Sequence, residues 1–257
     1  MTDKTAYHLR DLQGKFALIT GAASGIGNAI ALAFMTAGVC VVAVDKDDAA
    51  LKAVAWRDYK YIFRVDVCDP SMLYIPFRCL DRWGGAFDIV VHCAGVAGGH
   101  EFDTMPDSEW RRVVDTNLTG TFNVAREALY HFVDNDKKGS LILMGSISGM
   151  VANGTEFQNA HYCASKGGVH MLAKSLAVEY AKYGIRVNVV APGLTKTEMV
   201  EEARKKRGEA IRAFEKRHPL GANDPKDVVG PVLFLASDMS KMVTGHVLTV
   251  DGGYCAQ

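Results

Sequence analysis

Short β-branched runs alternate with longer amphipathic stretches from one end of the chain to the other, and this alternation restricts the folds open to it. Runs at 16–20, 39–44, 61–65, 87–91, 141–144, 185–190 and 247–250 read as buried strands. Helical stretches at 25–38, 70–83, 107–134, 160–183 and 224–236 separate them, the first closed by Gly38 as a C-terminal cap. Strands joined through helices return to the same end of the sheet, so they pair in parallel. The expectation is an α/β fold: a doubly wound parallel sheet of seven strands with helices on both faces. No repeat, low-complexity tract or Pro/Ser-rich linker divides the 257 residues, so 1–257 reads as one domain.

Hydrophobic residues make up 49% of the chain, enough for a sizeable core. The 29 Lys and Arg balance the 29 Asp and Glu, which leaves no electrostatic footprint for nucleic acid or an anionic membrane. The first ten residues are polar and lack the apolar core of a signal peptide. No apolar run approaches the roughly 20 residues that span a bilayer. The six cysteines show no C-x-x-C spacing and mostly sit in apolar stretches, as in a reduced, cytoplasmic protein. No histidine pair has metal-ligand spacing, so no metal site is expected.

The first strand runs directly into Thr20-Gly21-Ala22-Ala23-Ser24-Gly25-Ile26-Gly27. Glycines permit the tight turn and let the backbone approach a pyrophosphate at the positive N-terminus of the next helix. Such a loop alone is a weak signal, because ordinary strand–helix turns also use glycine. Asp45 closes the second strand about 20 residues on, where a carboxylate can accept hydrogen bonds from ribose hydroxyls. Loop and acid together point to dinucleotide binding.

Tyr162-Cys-Ala-Ser-Lys166 carries the second signal. Residues four apart share a helix face. Free tyrosine has a pKa of about 10, too high for a base near neutrality. An adjacent ammonium favours the phenolate, so the pair can work as a general acid/base.

With these motifs the chain resembles a short-chain dehydrogenase/reductase of the compact, single-domain, NAD-preferring branch, over essentially its whole length. The residues that carry the likeness are the T-G-A-A-S-G-I-G loop, Asp45, Asp66-Val67, Cys93-Ala94-Gly95 and Asn117-Leu-Thr-Gly120. Gly145-Ser146-Ile-Ser-Gly149, Tyr162 to Lys166, Pro192-Gly193 with Thr197, and Asp251-Gly252-Gly253 complete it. The resemblance implies a Rossmann-type sheet and hydride transfer between NAD and a secondary alcohol or ketone. It implies that Tyr162 moves the proton, that Lys166 lowers its pKa and holds the nicotinamide ribose, and that Ser146 bonds the substrate oxygen. Asn117 would hold a water of a proton relay. Gly21, Ser24, Gly25, Ile26 and Gly27 would cradle the cofactor, Asp66 and Val67 would meet adenine, and Cys93, Ala94 and Gly95 would pass along it. Pro192, Gly193, Thr195 and Thr197 would receive the nicotinamide carboxamide. The family commonly forms tetramers through its two long central helices and its C-terminal strand.

The chain departs from that pattern twice. His92-Cys93 stands where the family usually has Asn-Asn, and a thiol cannot make an asparagine's amide hydrogen bonds. Ser146 and Tyr162 are about three residues further apart than in the shortest members, read as an enlarged loop over the substrate within 150–161.

The charged segment 197–217 reads as a solvated helix face or as a substrate lid, and the two are compatible if one face is charged. Asn153, Glu156 and Gln158 are exposed loop polarity or contacts to a small hydroxylated substrate such as a sugar or polyol. His100 lines the pocket or the surface. His161 and Cys163 flank Tyr162 but point away from it on a helix. Met199 packs in the lid. Two other readings stand: an NADPH-dependent carbonyl reductase of the 3-oxoacyl or steroid type, with Met150, Val151, Phe157 and Met199 on an apolar ligand, and a catalytically silent NAD-binding interaction protein.

Overall fold

Valine, isoleucine and leucine occupy successive positions of the strands rather than alternate ones, because both faces of the sheet are covered. The computed structural model describes residues 10–54, 61–80, 84–152, 154 and 157–257. Its strands are β1 (Phe16–Thr20), β2 (Cys40–Asp45), β3 (Ile62–Arg64), β4 (Ile89–His92), β5 (Ser140–Met144), β6 (Arg186–Pro192) and β7 (Val247–Val250). They form one sheet in the order β3-β2-β1-β4-β5-β6-β7, and every pairing is parallel. The expected seven-stranded, doubly wound architecture is what the chain adopts.

Eight α-helices among the described residues connect them: α1 (Gly25–Thr36), α2 (Asp48–Ala53), α3 (Pro70–Phe77), α4 (Asp107–Val114), α5 (Gly120–Asp134), α6 (Ala160–Tyr180), α7 (Glu198–Lys216) and α8 (Val229–Ala236). Leu18, Val90, Leu141 and Val187 point to one face and pack with Phe77, Leu129, Phe132 and Val169. Their strand neighbours Ile19, Val91, Ile142 and Val190 point to the other face and meet Ile30, Phe34 and Leu235. A third, smaller cluster of Ile147, Leu194, Ile211, Phe214 and Tyr254 ties α7 and the C-terminus to the end of the sheet.

Several elements differ from the expectation. The 70–83 helix ends at Phe77, after an internal Pro76; residues 81–83 lie outside the described set. The 107–134 helix is interrupted by a π turn, Asp115–Thr119. α2 was not anticipated; it spans six residues, too few for a periodic pattern, and is capped by Asp47 accepting from the Ala50 amide at 2.9 Å. Helix α7 is kinked at Arg207, whose φ of −137° and ψ of 44° leave the helical region. No described helix is long and apolar enough to cross a membrane.

Because β1 lies between β2 and β4, the crossovers leave it in opposite directions. This topological switch opens a crevice at the carboxyl ends of the strands, the place where doubly wound sheets bind ligands.

Candidate active site

The glycine loop lies at that crevice, and its packing shows why side chains are absent. A Cβ on Gly27 would stand 2.1 Å from the Gly21 carbonyl oxygen, and one on Gly21 would stand 2.7 Å from the Ala94 nitrogen. Gly21 and Gly25 also take positive φ, of 65° and 52°. Ser24 is the N-cap of α1 but makes no side-chain cap bond, so the first amides of the helix are left for another acceptor. This cradle fits a dinucleotide pyrophosphate. Asp45, half-buried at the end of β2, accepts the Ala23 amide at 3.1 Å and the Asp47 amide at 3.1 Å. The carboxylate is thereby tied to the glycine loop, at the edge where a ribose would lie.

Asp66 accepts the Cys68 amide at 2.9 Å. Val67 is buried beside Gly120, and its carbonyl accepts from Asn123 at 3.0 Å. After β4, Thr20 anchors the backbone of Cys93 and Ala94. Its hydroxyl accepts the Cys93 and Ala94 amides at 3.2 and 3.3 Å and lies 2.7 Å from His92 Nδ1. With both lone pairs used, the hydroxyl proton goes to Nδ1, and the ring is the Nε2–H tautomer. Burial, with Lys166 nearby, holds His92 down at about 3, while burial pushes the Cys93 thiol up to about 12. Both are uncharged around neutrality.

Ser146, Tyr162, Lys166 and Asn117 come together from β5, α6 and the π turn. Burial raises the Tyr162 pKa above its ordinary value, and the nearby Ser146 side chain opposes that rise. Ser146 Oγ itself donates to Ser148 Oγ at 3.2 Å. Lys166 contributes no lowering in this arrangement. Its Nζ is 5.9 Å from the Tyr162 ring centre and donates to the Met144 carbonyl at 2.8 Å. Lys166 is 5% exposed, and burial brings its pKa down to about 8. Asn117 sits in the π turn, a distortion found often at functional sites. Its amide exchanges two bonds with the Val96 backbone, at 2.8 and 3.0 Å, and donates to Ser165 Oγ at 3.2 Å. It pins the loop after Gly95 to α6.

Three residues were not singled out from the sequence. His170, one further turn along from Lys166, accepts from the Ser146 amide at 3.5 Å; burial, with Lys166 and Lys174, holds it down at about 4. His218 joins α7 to the segment after β6. Arg207, at the kink of α7, donates to the Phe157 carbonyl at 2.8 Å and the Gly99 carbonyl at 3.2 Å. Each lies far in sequence from the group it holds, so no local motif marks it.

Of the turn after β6, Gly193 donates to the Val250 carbonyl at 2.9 Å, and Thr195 pairs with Asn223 in a parallel bridge. Pro192 ends β6, and the Thr197 hydroxyl caps α7 by accepting from the Val200 amide at 3.4 Å. In the enlarged loop, Asn153 and Glu156 lie outside the described residues. Gln158 donates to Glu101 at 3.1 Å, and His100 bonds the adjacent Glu101 carbonyl at 2.9 Å. His161 is fully buried, with Nε2 3.4 Å from Glu109, on the side away from Tyr162. Cys163 contacts Asn159 at 3.5 Å. Met150, Val151 and Met199 are exposed, whereas Phe157 packs against Phe214 at 4.8 Å between ring centres.

Comparison with known proteins agrees with this geometry. The family model described as Enoyl-(Acyl carrier protein) reductase matches residues 21–255. The chain is 35% identical to galactitol 2-dehydrogenase (L-tagatose-forming) of Cereibacter sphaeroides over 95% of its own length and 96% of that protein. It is 37% identical to 3beta-hydroxysteroid dehydrogenase 1 of Eggerthella lenta, over 95% and 94%. A short-chain type dehydrogenase/reductase from Mycobacterium marinum superposes with a TM-score of 0.88 at 36% identity, covering 97% and 98%. A whole-length match in sequence, fold and site therefore makes this chain an oxidoreductase of the short-chain dehydrogenase/reductase family, whose members bind nicotinamide cofactors.

Proposed function

We propose that the protein interconverts a secondary alcohol and a ketone with NAD(H), acting on a sugar, polyol or other small hydroxylated compound. The observation that carries this is the meeting of the Ser146 and Tyr162 side chains with Lys166 one turn beyond, at the mouth of a glycine-lined crevice. The nicotinamide cofactor supplies hydride transfer when bound. Tyr162 takes the alcohol proton at its hydroxyl oxygen in oxidation and returns it in reduction. Ser146 donates to the substrate oxygen and stabilises the charge that develops there. Lys166 holds the nicotinamide ribose, and Asn117 orders the loop behind it and the relay water.

The glycine loop with Ser24 and Ile26 binds the pyrophosphate, Asp45 the adenosine ribose, and Asp66 and Val67 the adenine. Cys93, Ala94 and Gly95 line the cofactor, and Pro192, Gly193, Thr195 and Thr197 take its carboxamide. Helix α7 is the substrate lid, latched by Arg207. The working form is a cytoplasmic homotetramer joined through α5 and α6, where Tyr130, Met171 and Val178 are exposed.

The polar substrate is supported by likeness to galactitol 2-dehydrogenase. The apolar cluster under α7 and the steroid-dehydrogenase likeness favour a second reading, a reductase or dehydrogenase of acyl or steroid substrates. Screening sugars, polyols, hydroxy acids, steroids and simple secondary alcohols for NADH formation separates them. Far higher kcat/KM for a steroid than for any polyol would overturn the polar reading. Tyr162→Phe should remove nearly all turnover while NADH still binds. More than about a tenth of the wild-type kcat would displace Tyr162 from its role, since a positioned acid/base typically supplies a factor of about 100 or more.

A further inference from the structure

We propose that His218 is the positioning residue of the turn that receives the nicotinamide end of the cofactor, and that protonating it releases this turn and weakens binding of NADH. The inference rests on the proposed role of residues 192–195.

His218 follows α7 and is 3% exposed. Its Nδ1 lies 2.9 Å from the Phe214 carbonyl oxygen, and the Leu194 amide donates to its Nε2 at 3.1 Å. A carbonyl only accepts and an amide N–H only donates. One neutral tautomer, with the proton on Nδ1, satisfies both bonds. The imidazolium carries N–H at both nitrogens, so it has no lone pair for Leu194 and sets two donors face to face. The ring packs against both Phe214 and Tyr254, with centres 4.9 and 4.8 Å away. A Cβ on Gly193 would lie 2.8 Å from Nε2, so the turn packs directly on the ring. The turn has two other holds: the Gly193 amide on the Val250 carbonyl, and the Thr195 bridge to Asn223. Both are backbone contacts without an ionisable group, and His218 is the tie that carries one.

The charged surroundings are mixed. From the segment after β7, Asp251 faces the ring; burial opposes Asp251 ionisation, but the Cys255 and Gly253 amides and His218 hold its carboxyl low. The Arg217 guanidinium lies 5.1 Å over Tyr254 and 5.8 Å over Phe214. Glu215, one turn back, is paired with Arg204 at 3.4 Å. The Cys255 thiol is pushed up to about 11 by burial and by Asp251, and stays neutral. The turn itself, Pro192 to Thr195, carries no titratable side chain.

The test is NADH binding by fluorescence titration of the intact protein from about pH 8 to about pH 5, the interval in which histidines as a class change charge. ADP-ribose, which lacks nicotinamide, is titrated in parallel, and thermal unfolding confirms that each variant is folded. Wild-type affinity for NADH should fall at least about fivefold on the acid side, the order of one hydrogen bond, with ADP-ribose unchanged. His218→Gln places an amide oxygen near the Nε2 position and accepts from Leu194 without titrating, so its NADH profile should flatten at the high-affinity level. His218→Asn keeps a donor near Nδ1 but cannot reach Leu194, and should bind NADH weakly at every pH. A His218→Gln profile that falls with acid like the wild type would overturn the proposal. So would a parallel loss of ADP-ribose affinity. NADH that binds with no preference over ADP-ribose at any pH would instead overturn the nicotinamide reading of residues 192–195, and this inference with it.

Discussion

At the scale of single residues, Lys166 sets function against stability. Its ammonium is buried with a carbonyl as partner, and its pKa falls from 10.5 to about 8. The folded protein therefore binds this proton less readily than the unfolded chain between about pH 8 and 10.5. Stability should rise with pH across that window, and the full penalty is present below it. Lys166→Met should abolish turnover yet stabilise the cofactor-free protein at pH 7 by up to about 3 kcal/mol, measured by urea unfolding. A destabilised variant would show that the Met144 bond outweighs burial. Asp45 makes the other residue-scale prediction. A phosphate on the adenosine ribose would meet its carboxylate at about 4 Å, a repulsion of roughly 4 kcal/mol per charge pair at an effective dielectric near 20. The exposed Lys46 offsets about 1 kcal/mol or less. NAD should be preferred by about a hundredfold or more in kcat/KM, because 1.4 kcal/mol is tenfold. Asp45→Ser should narrow the gap chiefly by improving NADP. It should also slow both reactions somewhat, since the Ala23 amide loses its acceptor. Equal use of both cofactors by the wild type would refute the assignment.

Among the elements, α7 is the one whose function depends on contacts outside itself. Its charge pattern marked a helix at 197–217, and the helix observed, Glu198–Lys216, agrees to within a residue at each end. The kink at Arg207 and the bonds across to Phe157 and Gly99 left no trace in that pattern. Arg207→Ala frees the lid from two loops at once. It should raise KM for substrate about five- to tenfold, the cost of one or two hydrogen bonds, with the dissociation constant for NADH unchanged. Weakened NADH binding of the same size would mean that α7 organises the cofactor site instead. The π turn at Asn117 is another feature hidden from periodicity. Hydrophobic spacing from 107 to 134 reads as one helix, because a single wide turn shifts the phase too little to break the apolar stripe.

For the whole molecule, the outer faces of α5 and α6 expose several large apolar side chains. Met171 and Val178, two turns apart on α6, are 64% and 81% exposed, and Tyr130 on α5 is exposed beside them in type. Such side chains on neighbouring long helices fit an interface between copies of the chain. Val178→Asp should shift the sedimentation of the protein from a tetramer to a smaller species at micromolar concentration. A wild type that sediments as a monomer would remove the assembly from the proposal.

The sequence by itself determined the strand–helix alternation, and so the parallel doubly wound sheet, because buried strands and crossover helices have different lengths and periods. It also located the glycine loop, Asp45 and the Tyr162–Lys166 pair, whose chemistry depends on spacings of a few residues. Tertiary structure alone decided how these groups are held. Thr20 anchors the Cys93 amide, His170 underlies Ser146, and His218 reaches Leu194 from 24 residues away. It also decided that burial, rather than Lys166, governs the Tyr162 hydroxyl here. Hydrogen-bond partners and desolvation depend on which surfaces the folded chain brings together, and a linear pattern carries only the part of that information that is local.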